Sequence, residues 1–336
     1  MAIISAPEEF NQDRLFVDLE PVLGRSVHLK VEGFNFAGSV KLKAATEMVD
    51  AAEARGALHP GSVIIESSSG NLGVALAMIA ASRGYEFVCV TDSRCNLATR
   101  QLMETLGARV HTITEPSPTG GMLGARMDYV RDQCASHDNH VWLNQYTDPN
   151  AWKAHYNTTG PAIAEEYCSA GRTLDVVFVG AGTTGTLMGV ARYFADHHPG
   201  VRVVAVDAVG SVTFGGPAAP RMIPGLGTSV RPAHTDESYL ADVVYVEEID
   251  TIRACHALAA RGFLFGGSTG TVVSGAAAWL AANDPDGELT CVALAPDMGE
   301  RYLDTVYHTN WVEDIYGADA LDAVAAPGSS PRPLAA

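Results

Sequence analysis

Residues 175–194 read DVVFVGAGTTGTLMGVARYF. Val176 to Val179 are a short apolar run, Gly180-Ala181-Gly182-Thr183-Thr184-Gly185 a glycine-rich turn, and a helical pattern follows. A second apolar run, VRVVAVD, ends in Asp207. Strand, G-x-G-x-x-G, helix, strand and acid make up a dinucleotide-binding fingerprint, with pyrophosphate on the helix N-terminus and Asp207 on the ribose. Thr183, Thr184 and Thr186 suit a different ligand, since their hydroxyls match a terminal phosphate with its three acceptor oxygens. The free N–H groups of a helix N-terminus receive either anion. The turn therefore predicts an anion site and leaves NAD and a terminal phosphate both open.

Working outward, strand-like and helical runs alternate along nearly the whole chain. Strands are expected at 27–31, 62–65, 86–90, 109–114, 141–143, 176–179, 201–206, 243–246 and 289–294, with helices at 41–54, 72–82, 97–106 and 271–282 among others. Such alternation predicts an α/β protein with parallel-rich sheets covered by helices on both faces. Ligands in such sheets bind at the carboxyl ends of strands. That rule selects the turns at 66–73, 180–186 and 266–271.

The 336 residues suit about two domains. A formal charge of −17 excludes nucleic acid and anionic membranes as partners, because both require a basic footprint. Phosphate is still bindable, by backbone N–H groups and a few placed cations. No apolar run reaches the ~20 residues of a membrane span, and the first residues lack the basic start of a signal peptide. Six scattered cysteines without C-x-x-C spacing fit free thiols in a reducing cytoplasm, and no metal motif is present. Residues 325–336, rich in Pro, Ser and Ala, are expected to form a disordered tail.

Three further segments carry chemistry. IESSSGNLGVALAMIA (65–80) gathers Ser67, Ser68, Ser69, Gly70 and Asn71 at a helix start, more than an N-cap requires and suited to a carboxylate. GGSTGTVVSGAAAWLAA (266–282) contains G-x-S-x-G around Ser268, and with Asp297 and His308 it raises a serine hydrolase. No oxyanion segment of the HGGG kind precedes it, so that reading is weak. EGFNFAGSVKLKAATEMV (32–49) puts Lys41 at a helix N-terminus, where a cation is unfavourable unless Schiff-base formation removes its charge.

Together NFAGSVKLK (35–43), SSGNLG (68–73), GTTGT (182–186) and STG (268–270) resemble, in order, the four cofactor motifs of the cysteine synthase family. These are two-domain fold-type II pyridoxal-phosphate enzymes, similar to the tryptophan synthase β chain. Longer stretches such as EPSPTGGMLGAR, NQYTDPN, AVDAVGSVTFG, IPGLGTS and APDMGERYLDTVYHTNWVE extend the likeness toward a particular branch. Its members join O-phospho-L-serine to L-glutamate, giving a 2,3-diaminopropionate precursor for siderophores or peptide antibiotics.

The resemblance implies pyridoxal 5′-phosphate as cofactor, bound to Lys41, which also serves as the base at Cα. Asn71 would bond the cofactor's 3-oxygen; Gly182, Thr183, Thr184, Gly185 and Thr186 its phosphate; Ser268 its pyridine nitrogen. Ser68, Ser69, Asn71 and Gln145 would grip the substrate carboxylate. Apart from the resemblance, a phosphate leaving group needs cationic help, for which Arg126 and Arg221 are candidates, and Tyr146, next to Gln145, is a candidate for shaping the pocket. The resemblance also implies a cofactor domain of 1–41 plus 145–324, a mobile smaller domain of 42–144 and a homodimer. Two departures stand out: Lys43 lies where the family has arginine, and Phe36 replaces the proline that stiffens the turn. The alternatives are a cysteine synthase-like enzyme using sulfide or another nucleophile and, more distantly, an NAD-dependent oxidoreductase on 180–207.

Overall fold

The computed structural model describes residues 3–118 and 120–322; the tail expected at 325–336 lies outside the described residues. The strands are β1 (Phe16–Asp18), β2 (Val27–Val31), β3 (Val63–Ser67), β4 (Glu86–Thr91), β5 (Arg109–Thr112), β6 (His140–Trp142), β7 (Val176–Gly180), β8 (Arg202–Ala208), β9 (Asp242–Val246) and β10 (Cys291–Ala295). The first helices are α1 (Glu20–Leu23), α2 (Lys41–Ala54), α3 (Asn71–Arg83), α4 (Leu97–Thr105), α5 (Gly121–Ser136) and α6 (Asn150–Asn157). They are followed by α7 (Thr159–Ser169), α8 (Gly185–His197), α9 (Glu248–Ala259), α10 (Gly267–Asn283) and α11 (Thr309–Tyr316).

Two sheets form. The larger has the order β1-β2-β10-β7-β8-β9, with only the β1–β2 pair antiparallel. The smaller, β5-β4-β3-β6, is wholly parallel and comes from one continuous stretch of chain. The larger sheet takes its strands from both sides of that stretch.

Alternation along β7 explains why this run is apolar throughout. Val176 and Phe178 face a core closed by α9 and α10, where Phe178 meets Trp279 edge-on with ring centroids 5.5 Å apart. Val177 and Val179 face the opposite core, with Leu187, Val190 and Phe194 of α8. A strand covered on both faces has no polar positions to offer. Truncating Phe178 to alanine would cost about 3–5 kcal/mol. In the smaller sheet, Ile64 packs under α2 and α3 while Ile65 packs under α5.

The structure extends the sequence reading at three places. β1 is a three-residue edge strand with no periodic signal. α10 starts at Gly267, four residues earlier than the apolar pattern suggests. Asn35 supplies the stiffness that the missing proline would give: its side chain donates to Glu32 O and Ser39 O and accepts from Ala37 N. Residues 295–316 pack on the larger sheet's helices, with Val312, Val306 and Tyr302 against Ile252 and Cys255.

Candidate active site

The turns at 68–70 and 181–184 follow β3 and β7, and Pro296 follows β10. Each leaves the carboxyl end of a strand, and all meet in one cleft between the two sheets. Lys41, Ser68, Ser69, Asn71, Arg126, Gln145, Tyr146, Gly182, Thr183, Thr184, Gly185, Thr186, Arg221 and Ser268 all line it. Lys43 and Asp207 are not among the lining residues.

Lys41 is the first residue of α2, and the segment before it is tied down by Val40 N donating to Pro296 O. Burial pushes its amine from 10.5 to about 8, with no charge or hydrogen bond opposing. Desolvation and the positive end of α2 both favour the neutral amine, the nucleophilic form. Lys43, two residues on, is paired instead with Glu32 and Asp13.

Across the cleft, Ala181 N donates to Val206 O and Gly227 N to Ala181 O, which locks the turn before α8. Thr184 adopts φ +63°, left-handed for a residue with a Cβ. A Cβ on Gly182 would stand 2.8 Å from Gly225 O, and one on Gly185 2.9 Å from Ala151 O. Only glycine lets this loop approach its neighbours so closely, leaving the α8 N–H groups and three threonines around a small concavity.

Asn71 opens α3. Its Nδ2 donates to Asp297 Oδ2 at 2.9 Å and its Oδ1 accepts from Arg301 at 2.6 Å. One amide hydrogen remains for a cleft ligand. Ser68 turns inward, its hydroxyl accepting from Gly73 N at 3.0 Å, so it caps α3 as well as facing the cleft. Ser69 lines the cleft, and Gln145 is fixed by donating to Ser67 O at 3.2 Å.

A cluster of arginines makes this region positive within an acidic chain. Arg126 is buried, with Nε 3.2 Å from Asp92 Oδ2 and Nη1 lacking a hydrogen-bond partner among the described residues. Arg94 grips the same Asp92 through Nε and Nη2, and Arg221 reaches Ser229 Oγ at 3.4 Å. Asp92 cannot neutralise both arginines that face it.

Two readings lose their geometry. Asp207, offered for an NAD ribose, is fully buried and accepts from Ala208 N, pushed up to about 6 by burial. In the hydrolase reading, Asp297 binds Asn71 and Tyr302, while His308 caps α11 by accepting from Trp311 N. No Ser–His–Asp relay joins them. Sequence reasoning missed Arg94, Asp297 as a support, and Arg301; position after β4 marks Arg94, and PDMGER marks the other two.

The pyridoxal-phosphate dependent enzyme family matches residues 16–297. The chain is 40% identical over 306 residues to an N-(2-amino-2-carboxyethyl)-L-glutamate synthase of Ralstonia nicotianae, covering 90% of this chain and 89% of the relative. It is 38% identical to the synthase of the same name from Cupriavidus metallidurans, covering 92% of each. Among solved structures, it is similar to O-ureido-L-serine synthase, with TM-score 0.82, 32% identity and 94% and 96% of the two chains covered. The O-acetylserine dependent cystathionine beta-synthase of Helicobacter pylori gives TM-score 0.82 at 25% identity, covering 92% and 100%.

Proposed function

The chain belongs to the pyridoxal-phosphate dependent enzymes, and from that premise we propose that it joins O-phospho-L-serine to L-glutamate. Inorganic phosphate leaves and N-(2-amino-2-carboxyethyl)-L-glutamate forms. The protein is a β-substituting enzyme; the choice of leaving group and nucleophile is the proposal. Arg126 carries it: a buried guanidinium beside the cleft, with Nη1 unpartnered among the described residues, suits an anionic leaving group.

The cleft residues fit the cofactor. A desolvated lysine, its amine lowered to about 8, stands opposite a glycine and threonine cradle that a Cβ at 182 or 185 would fill. Lys41 would hold the cofactor covalently, residues 182–186 its phosphate, Asn71 its 3-oxygen and Ser268 its ring nitrogen. Bound there, pyridoxal phosphate supplies an electron sink that acidifies Cα of the amino acid joined to it.

Lys41 Nζ takes the Cα proton, and the Cβ–O bond breaks as Arg126 and Arg221, helped by Arg94, receive the phosphate. The glutamate ammonium gives up one proton, which the departing phosphate carries as hydrogen phosphate; the freed nitrogen bonds to Cβ, and Nζ returns its proton to Cα. Ser69, Gln145 and the α3 N-terminus hold the substrate carboxylate, while Ser68 keeps that turn in shape. Tyr146 forms the nucleophile's wall. Closure of the unit built on the smaller sheet, residues 42–144, excludes water that would divert the three-carbon unit to pyruvate and ammonia. A homodimer supplying a 2,3-diaminopropionate precursor for siderophores or peptide antibiotics, from cytoplasmic amino acids, is the setting this reading expects.

Holoenzyme given O-phospho-L-serine and L-glutamate should release one phosphate per molecule of product, identified by mass. Turnover with sulfide but not glutamate would move the protein to cysteine synthesis. A preference for O-acetyl-L-serine would overturn the role of the arginines.

A further inference from the structure

The structure assigns Lys43 a positioning role: it orients the Thr186 hydroxyl toward the cofactor phosphate through a buried relay of Thr159 and His155. The inference rests on the reading that residues 182–186 hold that phosphate. Three acceptors surround the Lys43 ammonium, namely Asp13, Glu32 and Thr159 Oγ1, the last at 3.2 Å. Thr159 Oγ1 lies 3.0 Å from His155 Nδ1, and His155 Nε2 lies 3.2 Å from Thr186 Oγ1. Lys43, Thr159 and His155 are all buried, and Thr186 lines the cleft.

Only one direction leaves no buried hydrogen without an acceptor: Thr159 Oγ1 has two lone pairs, but among the described residues Lys43 and His155 are its only side-chain partners, so its own hydrogen needs His155. An ammonium can only donate. Once Thr159 accepts from Lys43, its own hydrogen is free for His155 Nδ1. That bond places the remaining ring hydrogen on Nε2, which donates to Thr186 Oγ1. The Thr186 hydrogen is then released toward an acceptor in the cleft. Each bond polarises the next, so a cation outside the cleft delivers an aimed donor inside it. A charged His155, donating from both nitrogens, is opposed by burial and then by Lys43, which hold the imidazole at about 3. Burial raises the Glu32 carboxyl, but Lys43 and Lys30 overcome this and hold it at about 2, so the cluster stays ionised.

Removing Lys43 itself would strand Glu32 and Asp13, so the test breaks the relay at its middle. Thr159→Val keeps shape and the ion pairs but carries no hydrogen bond; Thr159→Ser keeps the hydroxyl. Pyridoxal phosphate affinity is measured by equilibrium dialysis on each reconstituted protein, with the phosphorus-31 resonance of the bound cofactor as a second readout. T159V should weaken affinity about tenfold and shift the resonance in the direction that T186V shifts it. T159S should match the parent, and T159V should add nothing in a T186V background, because both remove the same donor. Additive losses, or an unchanged resonance in T159V while T186V moves it, would overturn the relay alone. If T183V and T186V both leave affinity and resonance unaltered, the phosphate site is elsewhere and the inference falls with that reading.

Discussion

Removing the cofactor and varying pH tests Lys41 directly. Burial holds its amine at about 8 instead of 10.5. At about 1.4 kcal/mol per tenfold, that displacement corresponds to about 3 kcal/mol of preference for the neutral form. At pH 7 about one lysine in ten is then neutral, against about one in three thousand for an ordinary lysine. Capture of pyridoxal phosphate requires the neutral amine. The apoprotein should therefore capture cofactor about tenfold faster at pH 7 than at pH 6 and level off above pH 8. The assay is stopped-flow absorbance of the bound chromophore between pH 6 and 10. Stability of the apoprotein should follow the same group: the unfolded chain holds the proton longer, so stability rises from about pH 8 to 10.5. A capture rate still climbing tenfold per unit up to pH 10 would refute the claim that burial, unopposed, sets the amine.

Other perturbations address separate parts of the site. Arg126→Gln should lower kcat/KM with O-phospho-L-serine about 30- to 100-fold, the worth of a buried charge-assisted bond, while affecting O-acetyl-L-serine much less; equal losses would point to a structural arginine. Gly182→Ala should weaken cofactor binding by about 1–3 kcal/mol, because its Cβ would lie 2.8 Å from Gly225 O, and dialysis reads this directly. Glu66 is buried with Oε2 unpartnered and is pushed up to about 7 from 4.5, first by burial. The folded state thus retains its proton, and stability falls as pH rises from about 4.5 to 7. Glu66→Gln should be about 3 kcal/mol more stable than the parent in urea unfolding at pH 8, with no gain at pH 4; a gain of equal size at both would defeat this.

Local pattern made much of this molecule readable. β2 and α2 fall at residues 27–31 and 41–54, where apolar run and helical period place them, because each is decided by its own burial. The nominated cleft residues were readable because glycine and hydroxyl turns at strand ends declare themselves over five or six residues. The start of α10 was not: Gly267-Ser268-Thr269-Gly270 has turn composition, yet a Cβ at Gly270 would stand 2.4 Å from Cys255 Sγ. Helix packing demands that glycine. The support of Asn71 by Asp297 and Arg301 was equally invisible, since the partners lie at the far end of the chain. Lys43 stood out only as a departure from a pattern, and its surroundings come from four separate segments.

The position of β10 has a consequence for how the protein is made. Of the described strands it is the last to be synthesised, yet it lies between β2 and β7. While the ribosome still holds residues 291–295, the larger sheet has two apolar edges facing a gap, whereas the smaller sheet is already complete from contiguous sequence. Edges of that kind invite mispairing and chaperone attention. Pro296, just beyond β10, also accepts from Val40 N beside Lys41. Lysine, cradle and strand thus come together only once β10 has been made, so a chain shortened before β10 has no finished place to trap the cofactor.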